Sequence, residues 1–244
     1  MHCSYCINHY GDFRPRKEID AYKWGEILKG VPTRDDLPIT LGGGEPTLHP
    51  GFFTLLYELE NQGKKVDLLT NGMFDVEEFI ALADPGMFRS GAPYASIRFS
   101  FHKGTNEEKL VNKVLMMQKA GYHVGIWGIG HPNMAERNKD LAAVCLRKGI
   151  DYREKEYLDE NHGSYRYPKA VSGRKCGRVN CYPSEMLFAP DGQLYHCHHF
   201  LYMGVRHDGP ECRDYGLCSP CDIKEKVDRL QHKGHCAVTI EEII

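Results

Sequence analysis

Along residues 1 to about 158, short apolar runs alternate with amphipathic stretches. Five runs read as strands, at residues 38–41, 65–70, 95–101, 123–129 and 152–157. They are rich in β-branched or aromatic residues and bounded by Gly, Asn or Pro, as strands commonly are. Five stretches between them carry helical spacing, at residues 18–28, 51–61, 76–82, 106–120 and 135–148. Glu60-Asn61-Gln62-Gly63 and Ala120-Gly121 supply helix stops. Strands that alternate with helices predict a parallel sheet of βα units. The expected fold class is therefore α/β, with the sheet curling into a partial TIM-like barrel. Reactive groups in such a barrel gather at the C-terminal ends of the strands.

The pattern then changes. Residues 159–180 are polar, contain Gly and Pro, and show no period, which predicts a linker. Residues 186–197 read as a hairpin of two short strands around Pro190-Asp191-Gly192. A short charged helix is expected at about 223–232. The predicted organisation is a domain over 1–158, a linker over 159–180 and a cysteine-rich hairpin/helix appendage over 181–244.

Composition narrows the function classes. The chain has 244 residues, 41% hydrophobic and 26% charged, enough for one sizeable domain and an appendage. Net charge is −2, which leaves no basic footprint for nucleic acid and no polybasic membrane patch. No apolar run approaches the roughly 18 residues that a span requires. The first six residues hold two cysteines and a histidine where a signal peptide would be apolar. These features predict a cytoplasmic protein without nucleic-acid or membrane partners.

Ten cysteines are many for that compartment. Disulfides are rare there, so the count points to metal or redox chemistry. Cys145, in DLAAVCLRKG, falls on the apolar side of a helix and is expected in the core. The other nine lie at the N-terminus or between Cys176 and Cys236.

In MHCSYC, Cys3 and Cys6 form a C-x2-C pair with Tyr5 inside it. Soft thiolates at this spacing suit zinc and iron–sulfur clusters equally well. Leu41-Gly42-Gly43-Gly44-Glu45-Pro46 follows a predicted strand and precedes a predicted helix. Glycines there let the backbone approach a ligand closely. A dinucleotide loop would need a third spaced glycine, and a P-loop would need Lys-Ser/Thr. Neither is present, and Glu45 would repel phosphate. Backbone acceptors beside a carboxylate suit a cationic amino group.

The C-x-Φ-C pair followed by Gly-Gly-Glu-Pro at the end of the next strand resembles the radical S-adenosylmethionine (SAM) superfamily. That resemblance implies three thiolates from C-x3-C-x2-C, a 4Fe–4S cluster with one open iron, and SAM bound there by its amino and carboxylate groups. It places Cys3 and Cys6 as the second and third cluster ligands. Tyr5 is then near the adenine, and Gly43, Gly44 and Glu45 hold the methionine ammonium. Asn71, in Thr70-Asn71-Gly72, and Ser100, in SIRFSFH, match strand-end positions beside the SAM site. VGIWGIG, at 124–130, resembles the adenine-facing strand of that family, although close packing of a buried strand explains its glycines as well. His102 and His131 are expected as polar walls at strand ends. The family's first cysteine would precede Met1, and so would the first barrel strand. A chain truncated at its N-terminus is therefore expected, a (β/α)6 partial barrel lacking its first strand; His2 is an awkward substitute ligand because it adjoins Cys3.

Cys181 and Cys197 flank Gly192, and Cys218-Ser-Pro-Cys221 follows. Four such thiolates can hold zinc or an iron–sulfur cluster. Beside the first resemblance, they are similar to the hairpin of twitch and SPASM appendages, which implies an auxiliary 4Fe–4S cluster on Cys181, Cys197, Cys218 and Cys221. Cys176 competes with Cys181, and Cys212 and Cys236 compete with the later pair. His196-Cys197-His198-His199 also allows zinc, with the histidines read as a surface cluster on a strand end. Together the resemblances imply a radical SAM oxidoreductase or maturase. It would abstract hydrogen from a small-molecule or peptide substrate and draw electrons from a reductant such as flavodoxin or ferredoxin. Tyr165, Arg166, Tyr167 and Lys169 are possible contacts for an anionic substrate. The alternatives are a non-catalytic zinc or iron–sulfur module and a degenerate SAM-binding homologue.

Overall fold

The computed structural model describes residues 5–6, 18–155, 157, 178–183, 186–206, 209–213 and 238–242. The chain divides into two compact units, Asp20–Lys155, and Met1–Ile19 together with Glu156–Ile244.

In the Asp20–Lys155 unit, α1 (Ala21–Lys29), α2 (Phe52–Asn61), α3 (Val76–Leu82), α4 (Glu107–Lys119) and α5 (Ala135–Lys148) alternate with β1 (Ile39–Leu41), β2 (Val66–Thr70), β3 (Ile97–Phe101), β4 (Val124–Ile129) and β5 (Asp151–Lys155). The helix starts follow from capping chemistry. The side chains of Asp20, Asp75 and Asn106 accept from the backbone N–H of Lys23, Glu78 and Lys109. Each satisfies a donor that the first turn leaves unpaired. At the other end of α5, Gly149 takes φ 67°, the left-handed cap that glycine adopts without steric cost.

The five strands are parallel and lie in the order β1-β2-β3-β4-β5. Consecutive right-handed crossovers place all the intervening helices on one face. This is the sequential winding of a βα barrel, as expected for the α/β class. Alternation along the strands separates two faces. Val66 and Leu68, Ile97, Phe99 and Phe101, and Val124 and Ile126 are buried toward the helices. Phe79 anchors that layer, with ring centroids 5.0 Å from Phe74 and 5.6 Å from both Phe88 and Tyr122. Cys145 is fully buried on α5, as expected of a core residue, and burial pushes its thiol up to about 11.

The other unit contains features that the sequence pattern did not predict. β6 (Val179–Pro183), β9 (Glu211–Cys212) and β10 (Val238–Glu242) form an antiparallel sheet in the order β10-β6-β9. The expected hairpin is present as β7 (Leu187–Phe188) and β8 (Leu194–Tyr195). Its turn closes through Gly192 N–H to Ala189 O at 2.9 Å, with Gly192 at φ 78°. One expectation is corrected. His198 and His199 do not end a strand; they open α6 (His198–Met203), with Cys197 at the N-cap. The proposed helix at 223–232, residues 159–177 of the linker and the four side chains named within it lie outside the described residues.

Candidate functional site

The C-terminal ends of β1 and β2 are tied together by Glu45. Its Oε1 accepts from Thr47 Oγ1 at 2.7 Å, Thr70 Oγ1 at 2.7 Å and Thr47 N at 3.3 Å. Its Oε2 accepts from Asn71 N at 2.6 Å. Charge-assisted hydrogen bonds of this kind are about twice as strong as neutral ones. Glu45 thus fixes the Gly42–Glu45 loop against the Thr70-Asn71-Gly72 turn. One carboxylate oxygen, Oε2, keeps acceptor capacity toward a ligand.

The loop itself is shaped as a cradle. Gly43 has φ 118°, a conformation that side chains disfavour, and a Cβ at either Gly43 or Gly44 would meet nothing within 4 Å. Among the described residues the space beside Gly43 and Gly44 is therefore open, and the neighbouring Glu45 carboxylate suits a cationic amino group such as the one SAM carries.

The second turn is packed rather than open. Gly72 has φ 70°, and a Cβ there would lie 2.2 Å from a carbon of the Phe99 ring. Thr70 Oγ1 accepts from Gly72 N at 3.0 Å, and Asn71 Oδ1 accepts from Met73 N at 2.9 Å. Lys113 on α4 donates to the carbonyls of Gly72 at 2.7 Å and Phe74 at 2.8 Å. Asn71 is held between Glu45 and its own turn.

At the next strand ends, His102 is half-buried, and burial, then Lys155, lower its pKa. His131 has a local task, accepting from Asn133 N through Nδ1 at 3.0 Å. Gly125 and Gly128 in β4 are explained by packing. A Cβ at Gly125 would lie 2.6 Å from Asp151 O, and one at Gly128 would lie 2.4 Å from Tyr152 Oη.

Ser100 lies on the sheet face away from the helices, opposite Trp127 in register. The same face carries charged residues that the sequence reading passed over. Arg98 Nη2 donates to Asp67 Oδ2 at 2.9 Å, and both side chains are buried. The Arg98 guanidinium stacks 4.7 Å from the Tyr94 ring centroid and 4.9 Å from that of Trp127. Burial raises Asp67 to about 6, against the opposing pull of Arg98. Lys155 Nζ lies 5.0 Å from the Trp127 ring centroid, and burial, then Arg98, depress it to about 8. A signal was available, since Asp67 and Arg98 interrupt the apolar runs VDLL and IRFSF. In parallel strands such charges must face a lumen or be paired.

In the other unit, Tyr5 packs edge-on against Tyr157, with ring centroids 5.7 Å apart. Cys6 and Cys197 are half-buried, and Cys181 is buried in β6. Cys212 in β9 is opposite Val179, and Cys181 lies two residues beyond Val179 on that strand face. Antiparallel diagonal neighbours of this kind are roughly 7–8 Å apart. Cys3, Cys176, Cys218, Cys221, Cys236 and His2 lie outside the described residues. Among the described residues no three His, Cys, Asp or Glu side chains converge as a metal site. No described helix is long and apolar enough to cross a membrane.

Residues 1–92 match the sequence profile of the family described as the Radical SAM superfamily. The match covers the first 92 of the 244 residues. The matched segment contains Cys3, Cys6, the Gly43–Glu45 cradle and Asn71. The chain is also similar to solved structures of SuiB from Streptococcus suis. The structure of SuiB bound to the precursor peptide SuiA is 17% identical, with a TM-score of 0.48 over 70% of this chain and 40% of that one. SuiB bound to S-adenosylmethionine is 18% identical, with a TM-score of 0.44 over 61% and 37%. The chain thus spans about 40% of the length of SuiB.

Proposed function

We propose that this chain is a radical SAM oxidoreductase or maturase acting on a small-molecule or peptide substrate. The observation that carries the reading is the cradle at Gly43, Gly44 and Glu45. It is open among the described residues, carries the Glu45 carboxylate, and is set at the C-terminal ends of parallel strands within the segment that matches the superfamily. In this reading the thiolates of Cys3 and Cys6 hold a 4Fe–4S cluster, and Tyr5, Asn71 and Ser100 complete the surroundings of SAM. Cys181, Cys197, Cys218 and Cys221 hold an auxiliary 4Fe–4S cluster. Cys212 is a competing ligand through its position beside Cys181. When bound, the cluster and SAM supply a 5′-deoxyadenosyl radical that removes a hydrogen atom from an unactivated C–H bond.

The protein's own part is binding and orientation. Glu45 presents one carboxylate oxygen to an ammonium while its remaining hydrogen bonds fix the loop. Lys113 and the tight Gly72–Phe99 contact keep the Asn71 turn from shifting. Precise placement of this kind matters because a misplacement of about 1 Å can cost roughly 100-fold in rate. A one-electron reductant of the flavodoxin or ferredoxin type supplies the electron, and a cytoplasmic setting suits such chemistry.

The test is anaerobic expression with any coding sequence upstream of Met1, reconstitution with iron and sulfide, reduction, and assay for 5′-deoxyadenosine. The reading expects about eight irons per chain, as two 4Fe–4S clusters require, and product formation that disappears in Cys6→Ala. Bound zinc, with no 5′-deoxyadenosine, would replace it with a structural metal module.

A further inference from the structure

The face of the sheet turned away from the helices carries more positive than negative charge. Following the register, it presents Asp67 and Leu69 from β2, Arg98 and Ser100 from β3, Trp127 and Ile129 from β4, and Asp151, Arg153 and Lys155 from β5. Two cations on this face have carboxylate partners. Arg98 pairs with Asp67 at 2.9 Å, and Arg153 pairs with Asp151 at 3.3 Å. Lys155 has no carboxylate within ion-pair distance among the described residues. Its neighbour is the Trp127 ring, with the ammonium 5.0 Å from the centroid. Among the described residues, the Trp127 indole N–H and the Arg98 Nε–H are both buried without a hydrogen-bond acceptor.

Two buried donors that lack an acceptor among the described residues, the Trp127 indole N–H and the Arg98 Nε–H, therefore lie beside the Lys155 ammonium around one indole ring. Leaving buried donors unmet costs free energy, so such groups call for a partner. The partner must be an acceptor, because ammonium, guanidinium and indole N–H offer only donors. It must also be anionic, because Lys155 is the cation without a counter-charge. Position adds a direction. Lys155 is the last residue of β5, opposite Ile129 near the end of β4. It therefore lies at the C-terminal ends of the strands, where βα barrels place their reactive groups. A planar anion with two acceptor oxygens can take the Lys155 ammonium on one and the indole N–H on the other.

We propose that Lys155 and Trp127 form a recognition site for a carboxylate, with Arg98 held behind them as a fixed positive charge. The proposal rests on the radical SAM reading only for what uses the site. Within that reading the carboxylate belongs to the substrate, as an acidic side chain or a chain terminus, or to the methionine end of SAM. Of the three, a substrate carboxylate gives Lys155 a role in selecting which molecules enter.

The chain has two tryptophans, Trp24 and Trp127, so Trp24→Phe leaves Trp127 as the sole indole reporter. In that background, the emission of the full chain is titrated with N-acetyl-glutamate amide and, in parallel, with its glutamine counterpart. SAM and decarboxylated SAM form a second pair of probes. A saturable response to the glutamate probe and not to the glutamine one, weakened at least ten-fold in Lys155→Met and retained in Lys155→Arg, establishes the site and assigns it to substrate. A response confined to SAM, absent with decarboxylated SAM and weakened in the same way by Lys155→Met, establishes the site and assigns it to the cofactor. Equal responses to acid and amide, an unchanged response in Lys155→Met, or no response to any probe overturns the proposal. Circular dichroism of each variant separates loss of the site from loss of fold. Emission needs neither cluster nor turnover, so failure here is distinct from failure to cleave SAM.

Discussion

Replacing Lys155 with methionine should make the fold more stable. The ammonium sits in a mostly buried position, and burial, then Arg98, bring it from an ordinary 10.5 to about 8. That displacement corresponds to about 3 kcal/mol of disfavoured charge at neutral pH. Methionine keeps an unbranched stem of similar length against the Trp127 ring and carries no charge. Some of the gain is offset by the lost cation–π contact, worth about 0.5–2 kcal/mol, so the expected net gain is about 1–3 kcal/mol. The sign with pH follows from linkage. The folded chain disfavours the charged form, so the wild type is most stable above the unfolded value near 10.5 and loses stability as pH falls toward 8. Below that it levels off. The variant has no such slope, so its advantage should be largest at pH 7 and should shrink toward pH 10. Urea unfolding of both proteins at matched metal content measures the difference, provided the m-values agree. Destabilisation by more than about 1 kcal/mol at pH 7 would refute the reasoning. It would show that Lys155 is a satisfied structural cation, with a partner that offsets its burial.

Three further outcomes follow from the same geometry. Arg98→Met should destabilise by about 3–5 kcal/mol at pH 8, because it leaves the Asp67 carboxylate buried without its partner. Asp67 is already raised to about 6 by burial, so the loss should lessen toward pH 4 as the carboxyl protonates, and a pH series of unfolding midpoints checks it. Gly72→Ala combines a left-handed backbone with a Cβ 2.2 Å from the Phe99 ring. It should cost about 2–5 kcal/mol, read as a lower Tm in calorimetry. Glu45→Gln turns one acceptor oxygen into a donor, facing either the Thr47 and Thr70 hydroxyls or the Asn71 N–H. It should weaken SAM binding in equilibrium dialysis by ten-fold or more while the far-ultraviolet circular dichroism stays native.

The α/β alternation was legible because each element carries its own local signal. All five parallel strands and all five helices of the Asp20–Lys155 unit lie within a few residues of where pattern and caps put them. Gly63, Gly121 and Gly149 mark helix ends with positive φ, two of them at stops that the sequence announces. The antiparallel sheet was not legible. β6 begins inside a stretch that reads as polar linker, and it is stabilised by pairing with β10, nearly sixty residues later. Such non-local pairing leaves no periodic trace. α6 was missed because His198 and His199 looked like a surface cluster, while the helix is defined by Cys197 at its cap and Gly204 at φ 64°.

The loop that holds the proposed site residues was legible as a strand-to-helix turn: Gly43, Gly44 and Glu45 follow β1, and among the described residues a Cβ at either glycine would meet nothing within 4 Å. What the motif does not reveal is that Glu45 spends most of its hydrogen-bonding capacity on Thr47, Thr70 and Asn71, the last two about 25 residues away. Its role in the loop's shape is therefore as large as any role toward a ligand. The Asp67–Arg98 pair and Lys155 were overlooked for a related reason. In the sequence they look like interruptions of apolar strands, and only the strand register gathers them around Trp127. In β4, Gly125 and Gly128 look like ligand-facing positions, but Asp151 and Tyr152 of the neighbouring strand fill the space beside them.

The most direct test of the central claim is the electron paramagnetic resonance spectrum of the reduced, iron-reconstituted protein, recorded with and without SAM. The account predicts a 4Fe–4S signal whose shape changes when SAM is added, and that this change is lost in Cys6→Ala and weakened in Glu45→Gln. A cluster signal indifferent to SAM, or one unaltered by Cys6→Ala, would contradict it.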